Sequence, residues 1–136
     1  MITEGVNVGY YSQDFEALDM EQTVWESLQS VTDVITDQET FRVASQFLLT
    51  SDLLKNKVYS LSEGQKGLLC YARFIIQKPD LLILDEPTNH INFRHLPVIA
   101  ESLNTYKGAL IMVSHDEGFV QALEDVREID LKRLIK

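Results

Sequence analysis

The chain combines two kinds of hydrophobic pattern. Val6–Tyr11 alternates apolar and polar or small positions in the way of a half-buried strand, whereas Leu81–Leu84 and Ala109–Val113 are continuous aliphatic runs. Runs of this kind are typical of parallel strands that helices cover on both faces. Since each buried aliphatic side chain contributes roughly 1.5–3 kcal/mol, we expect these two strands to anchor the core.

Helical periodicity and capping signals fill the intervals between the strands. Thr23–Glu26, Thr36–Glu39 and Ser62–Gln65 each place a hydroxyl three residues before a carboxylate or amide, the pattern of a capping box. Strands alternating with helices predict a right-handed, mainly parallel α/β sheet with flanking helices, and a mostly helical segment over residues 14–60. The predicted helices lie over about 24–31, 37–48, 62–78, 97–106 and 117–124. A final strand is predicted over Arg127–Leu131.

Composition places the chain among ordinary globular proteins. Its 136 residues are 45% hydrophobic and 24% charged, which fits one domain rather than two or a disordered segment. A single cysteine, Cys70, fits a reducing compartment, and the N-terminus lacks the pattern of a secretion signal. We therefore expect a cytoplasmic protein without membrane insertion.

The net charge of −9 lies in the first part of the chain. Residues 1–54 contain ten acidic residues and one basic residue, Arg42, whereas the remainder is balanced. Because a nucleic-acid-binding face must neutralise phosphates, direct binding of nucleic acid by this segment is disfavoured. We interpret the charge as a solubilising acidic surface.

Polar residues follow both aliphatic strands. Asp85-Glu86-Pro87-Thr88 comes after the first strand and Ser114-His115-Asp116 after the second. Ligands of open α/β sheets collect at the carboxyl ends of the strands, and two adjacent carboxylates there are costly unless a cation or proton offsets their charge. This arrangement favours a cation-assisted site over a simple polar loop.

Four motifs in order, with two further segments between them, give a specific resemblance. The motifs resemble those of the ATP-binding-cassette (ABC) ATPases: the Q-loop at Tyr11-Ser12-Gln13 and the signature motif at Leu61-Ser62-Glu63-Gly64-Gln65. The Walker B motif is similar to Leu81 to Thr88, and the switch-histidine motif to Ser114-His115-Asp116. Two shorter segments also occur in the expected places, Ala72-Arg73 and Pro79-Asp80. The extension Thr88-Asn89-His90 is most similar to the ABC-F branch, whose members carry two cassettes in one chain without a membrane domain. The resemblance implies a partial ABC ATPase domain of the P-loop NTPase fold over residues 1–136, with 14–60 the helical segment after the Q-loop and 61–136 the signature helix, Walker B strand, switch histidine and terminal strand.

The resemblance assigns roles to seven residues. Asp85 would hold Mg²⁺, Glu86 would act as general base on the attacking water, Gln13 would touch the metal or that water, and His115 would bond the γ-phosphate of ATP. Ser62, Gly64 and Gln65 would hold the γ-phosphate of ATP bound to a different cassette, since a helix N-terminus presents unpaired amides and a partial positive charge. Ser62 and Gln65 also fit a capping box, and we expect both interpretations to hold together.

Several features depart from the family pattern. No Gly-Lys dipeptide occurs in the chain, so the Walker A loop that cradles the phosphates is absent, as is the aromatic residue that would stack on adenine. Glu63 stands where the family usually has glycine, and Asn92 stands where it usually has aspartate. We expect the later part of a second cassette, which pairs with another cassette or with the missing N-terminal part and self-associates through an open sheet edge.

The leading interpretation is an ABC-F-like cassette that hydrolyses ATP in the intact tandem protein, acting on ribosomes in translation or antibiotic protection. One alternative is a non-catalytic half-cassette that donates its signature motif in trans. Another is a fragment of a transporter ATPase subunit, which Asn89-His90 disfavours. Chromosome-maintenance ATPases also separate their Walker motifs, but Pro87-Thr88 and the lack of heptads disfavour them.

The absence of Walker A generates the first prediction. Phosphoryl transfer depends on positioning a held triphosphate, so the isolated chain should bind MgATP weakly and should not turn it over. Isothermal titration calorimetry and phosphate release measure both properties. Micromolar binding, or phosphate release above background that Glu86→Gln abolishes, would contradict the prediction.

Overall fold

Three parallel strands and five α-helices form the part of the chain that the structure describes. The structure is a computed structural model and describes residues 7–12, 15–87 and 91–113. The predicted helix over 117–124 and the predicted strand over Arg127–Leu131 lie outside these residues. In chain order the elements are β1 (Val8–Tyr11), α1 (Val24–Gln29), α2 (Asp37–Gln46), α3 (Ser51–Leu54), α4 (Glu63–Gln77), β2 (Leu81–Asp85), α5 (Leu96–Thr105) and β3 (Ala109–Val113), with short 3₁₀ turns at Val58–Ser60 and Phe93–His95.

The strands form one parallel sheet in the order β1-β2-β3. Tyr11 pairs with Leu84, and Asp85, the last residue of β2, pairs with Val113, the last residue of β3. All three strands therefore end at the same edge of the sheet, which confirms the predicted parallel α/β class.

One face of the sheet forms the core. Tyr11, Leu82 and Leu84 are almost completely buried on this face. Helix α4 covers it, because Tyr71 stacks on Tyr11 with ring centroids 5.0 Å apart and Phe74 lies against Gly9 of β1. The core therefore lies between α4 and the sheet, and α5 packs against α4 beside it.

The opposite face of the sheet is largely exposed in the described part of the chain. Ile111 is 54% exposed, Val113 42% and Tyr10 50%. Because side chains alternate along a strand and the register aligns Tyr10, Ile83 and Ile111, these residues share one face. Helix α4 covers the face that carries Tyr11 and Leu84, whereas the predicted helix over 117–124 lies outside the described residues.

Capped helices pack on the other side of α4. The predicted capping box at Thr23 is present, with its hydroxyl accepting from the Glu26 amide and the Glu26 carboxylate accepting from the Thr23 amide. At Thr36 only half of the predicted capping box forms: its hydroxyl accepts from the Glu39 amide, whereas the Glu39 carboxylate accepts from Arg42. Val24, Leu28, Val43 and Phe47 are fully buried, and α1 and α2 both contact α4. The sequence did not predict α3 or the two 3₁₀ turns, which are one turn long and leave little periodic signal.

Within the described ranges, no helix combines the length and the apolar composition needed to cross a bilayer.

The exposed sheet face generates the second prediction. Contiguous apolar surface favours association, because association removes it from water. We expect the average mass of the chain in sedimentation equilibrium to rise with concentration, and Ile111→Thr, which keeps a β-branched residue, to weaken this rise. Val34→Thr, at an 89% exposed apolar position on the helical segment, is the matched control and should leave it unchanged. A monomer at every concentration would contradict the prediction.

Candidate functional site

The carboxyl edge of the sheet gathers the residues that follow the strands. Asp85 lies at this edge, exposed, and the neighbouring strands end there at Tyr11 and Val113. Gln13 and His115, also predicted for the site, lie outside the described residues; each follows the end of a neighbouring strand by two positions in the sequence. The structure thus brings the Walker B acids and the ends of the two neighbouring strands to one edge.

Glu86 occupies a strained turn directly after β2. Its φ is +49°, in the left-handed region that costs a residue other than glycine on the order of 1–3 kcal/mol. Its amide donates to the Val113 carbonyl at 2.8 Å, which ties the turn to β3. Because β2 ends at Asp85, this turn and not the alternation of a strand separates the two carboxylates.

The first turn of α4 carries the other predicted residues. The Ser62 hydroxyl accepts from the Gln65 amide at 3.1 Å, and the Gln65 side-chain oxygen accepts from the Ser62 amide at 3.0 Å. The predicted capping box is therefore confirmed. Its bonds occupy acceptor atoms of both side chains, whereas the Ser62 hydroxyl proton and the Gln65 Nε2 group are donors that these bonds do not use.

The same turn suits an anion. The Gly64 amide lies in the first turn of a 15-residue helix, where no preceding helical carbonyl can accept its hydrogen bond. Together with the helix dipole, these donors favour phosphate. Glu63 is exposed at the first helical position, where its carboxylate also interacts favourably with the dipole and competes with a bound anion.

The two groups of predicted residues lie apart. Tyr71, in the middle of α4, contacts the turn that carries Glu86, because its hydroxyl donates to the Pro87 carbonyl at 2.9 Å. Ser62 precedes Tyr71 by nine positions, which is about 13 Å along the helix axis. The signature turn therefore projects well beyond the Walker B turn of its own chain.

Sequence reasoning missed Tyr71 as a site residue. Its hydroxyl is buried and bonded to Pro87, and burial raises the pKa of this phenol well above its ordinary value. Burial likewise raises the pKa of the stacked Tyr11 and raises that of Cys70 to about 12, so all three side chains remain neutral at physiological pH. Cys70 is buried in the core and packs there with its apolar neighbours. The only sequence signal for Tyr71 was a hydroxyl within the apolar face of α4.

The loop after the Walker B turn also returns to α4. A Cβ on Gly67 would lie 2.5 Å from Ile91 Cδ1 and 3.0 Å from the Tyr11 hydroxyl, so glycine permits this close approach. Asn92 accepts from the Arg94 amide at 3.0 Å and caps the 3₁₀ turn Phe93–His95. The departure from aspartate at this position therefore keeps a capping side chain.

The residues at the carboxyl edge fit Mg²⁺ held together with a nucleotide. Among the described residues, no cluster of three or more His, Cys, Asp or Glu side chains forms a metal cage. Mg²⁺ in nucleotide sites uses one or two carboxylates and takes its other ligands from phosphate and water. An exposed Asp85 at the end of β2 suits that arrangement, with the remaining ligands supplied by the nucleotide.

Comparisons with known proteins agree with these motifs. The family model described as "ABC transporter" matches residues 2–89. The chain is 35% identical over 98% of its length to the "Probable ATP-binding protein YbiT" of Escherichia coli O157:H7, of which it covers 26%. It is 32% identical over 85% of its length to "ATP-binding cassette sub-family F member 3" of Mus musculus, of which it covers 16%. The chain thus spans about a quarter or less of these relatives.

A solved structure shows the same fold. The dimeric, post-hydrolysis structure of the ATP-binding cassette MJ0796, bound to ADP and Pi, superposes with a TM-score of 0.71 at 19% identity. The match covers 88% of this chain and 56% of the solved chain.

The Tyr71–Pro87 contact generates the third prediction. Tyr71→Phe keeps the ring but leaves the Pro87 carbonyl without its donor, so the free energy of unfolding should fall by about 1–3 kcal/mol. Urea denaturation measures this change. Tyr59→Phe, at a 59% exposed tyrosine, is the control and should have little effect. Equal stability of the two variants would show that the buried bond contributes nothing.

Proposed function

Because the chain belongs to the ATP-binding-cassette family, and within it to the ABC-F branch, we propose that it supplies two separate half-sites for ATP hydrolysis. The Walker B half-site consists of Asp85 and Glu86 with Gln13 and His115. The signature half-site consists of Ser62, Gly64 and Gln65. The offset of about 13 Å along α4 between Ser62 and Tyr71 carries the proposal, since one γ-phosphate cannot touch both half-sites of one chain.

The Walker B half-site acts on the attacking water. Glu86 accepts a proton from water, and its strained turn fixes the direction of the carboxylate relative to Asp85. Asp85 would hold Mg²⁺, which would supply positive charge to offset that of the phosphate oxygens. Gln13 and His115 orient the water and bond the γ-phosphate, as the family resemblance implies.

The signature half-site acts on a nucleotide held by another cassette. The hydroxyl of Ser62, the amide of Gly64 and the Nε2 group of Gln65 donate to the γ-phosphate, at the positive end of α4. Pairing of cassettes, as in the dimeric MJ0796 structure, supports this arrangement. The partner is therefore a second ABC cassette, in the same longer protein or in another chain.

Walker A is not among these 136 residues, so another polypeptide segment supplies it. The relatives are at least about four times as long as this chain, and the exposed sheet face of Tyr10, Ile111 and Val113 offers apolar surface for the complementary part. Without that part the triphosphate is not held, so the isolated chain does not hydrolyse ATP.

We also propose that the intact protein acts on the ribosome, and membership of the ABC-F branch is the support for this part of the proposal. The acidic helical segment restricts how it could occur. Ten acidic residues and one basic residue over residues 1–54 repel RNA phosphates, so contact with RNA must come from other parts of the protein.

A non-catalytic module remains the second candidate. The capping bonds of the signature turn involve only Ser62 and Gln65, so the chain could donate Ser62 without using Glu86. The two candidates differ in one property: only the first requires the Glu86 carboxylate.

The fourth prediction separates the half-sites by complementation. An intact cassette whose own signature serine is changed to arginine should regain ATPase activity when this chain is added, because Ser62 replaces the lost donor. Separately, an N-terminal piece bearing Walker A from a relative's second cassette should form an active enzyme with this chain and an intact cassette. Phosphate release measures both activities.

Matched variants decide between the candidates. Ser62→Arg should abolish the first activity, whereas Ser45→Arg, on the exposed surface of α2, should preserve it. Glu86→Gln should abolish the second activity while nucleotide binding persists. If Glu86→Gln leaves the second activity intact, the catalytic proposal fails and the non-catalytic module is favoured; if Ser62→Arg has no effect, donation in trans is wrong.

A further inference from the structure

A cavity lies beside the C-terminal half of α4, whereas the signature turn lies at the N-terminus of this helix. It has a volume of about 300 Å³ and lies between β1, residues 17–18 and the C-terminal half of α4. Three consecutive residues of β1, Val8–Tyr10, form one wall, and Leu18, Cys70 and Phe74 make most of the remainder apolar. Only two side chains with strongly polar ends line it, Arg73 and Gln77.

The Arg73 guanidinium lacks a carboxylate partner in the described part of the chain. Its one hydrogen bond is donated by Nη1 to the Ser27 hydroxyl at 3.0 Å. A guanidinium has five N–H donors, so most of them remain unused by this contact. Burial lowers the pKa of Arg73, and among residues 7–12, 15–87 and 91–113 no acidic side chain offsets this effect. This is a partly desolvated positive charge without compensation.

Such a charge is unusual in an acidic protein. Arg42, by contrast, is exposed and pairs with Glu39 in the same helix. Removing a charge from water costs free energy that a carboxylate normally offsets through paired hydrogen bonds. The cavity wall therefore presents one planar, positively charged binding group, the Arg73 guanidinium.

We propose that this cavity binds a peptide segment that inserts a single Glu or Asp side chain, flanked by aliphatic residues, against Arg73. The planar guanidinium matches a carboxylate with two parallel hydrogen bonds, and the apolar walls match aliphatic neighbours. Gln77 provides a second polar contact at the rim.

The position of β1 favours a peptide over other carboxylates. Within the described ranges β1 pairs only with β2, so its outer edge has backbone donors and acceptors for an added strand. The cavity follows this edge through Val8–Tyr10. Nucleic acid is a poorer candidate, because the acidic helical segment that borders the cavity would repel a run of phosphates.

This site is separate from the signature half-site. Arg73 follows Ser62 by eleven positions, about 16 Å along α4. Its hydrogen bond to Ser27 connects α4 to α1, so an occupant would contact the junction between the sheet and the helical segment.

Titration with a defined peptide tests the proposal. The probe is acetyl-Val-Leu-Glu-Val-Leu-amide, and its Gln counterpart removes only the charge. We expect the Nε–Hε resonance of Arg73 to shift and saturate with the Glu peptide, and the Gln peptide to bind at least roughly tenfold more weakly. Equal affinity of the two peptides, or shifts confined to Arg42, would overturn the proposal.

Three variants and two other ligands complete the test. Arg73→Gln should remove binding of the Glu peptide, whereas Arg42→Gln should keep it. If Arg73→Gln fails to fold, Leu18→Trp, which fills the cavity and keeps the guanidinium, should remove binding instead. Inorganic phosphate or an oligouridylate that shifts Arg73 as strongly as the Glu peptide would show a general anion or RNA site and would overturn the peptide assignment.

Discussion

The packing of α4 against the sheet is the constraint on which the other features depend. Tyr71 stacks on Tyr11 and donates to the Pro87 carbonyl, so one side chain joins the helix to the outer strand and to the turn that carries Glu86. The same helix begins with the capped turn of Ser62. A single rigid element therefore fixes where the signature donors lie relative to the Walker B acids, and small shifts of α4 would change both.

The two half-sites have opposite electrostatic character. The first turn of α4 offers N–H donors at a positive helix end, whereas Asp85 and Glu86 place two carboxylates at the end of β2. A triphosphate is attracted to the first and repelled by the second unless a cation lies between. The two half-sites lie apart in one chain, so the helix end of one cassette and the carboxylate edge of another can enclose one nucleotide. The proposal therefore requires both the pairing of cassettes and a Mg²⁺ ion between the carboxylates and the phosphates.

At two positions, Glu86 and Arg73, the residue present costs stability that another residue would avoid. Glu86 adopts a positive φ that glycine would tolerate better, and the contacts of Val113 and Pro87 hold it there. Arg73 retains a partly buried guanidinium where an apolar residue would pack without the cost of desolvation. The first position agrees with a reacting carboxylate, and the second with a charge reserved for a binding partner.

The sequence by itself determined the parallel α/β class, the capped starts of α1, α2 and α4, and the places where polar residues follow strands. These features depend on local periodicity and on side chains within a few residues of one another, so they are present in the sequence pattern. Tertiary structure decided which face of β3 is covered, how the chain turns at Glu86, and that Tyr71 holds Pro87. It also decided the separation of Ser62 from Glu86 and, within the part of the chain that the structure describes, the isolation of Arg73 from carboxylates. Each of these depends on contacts between residues distant in sequence, whose geometry no local pattern specifies.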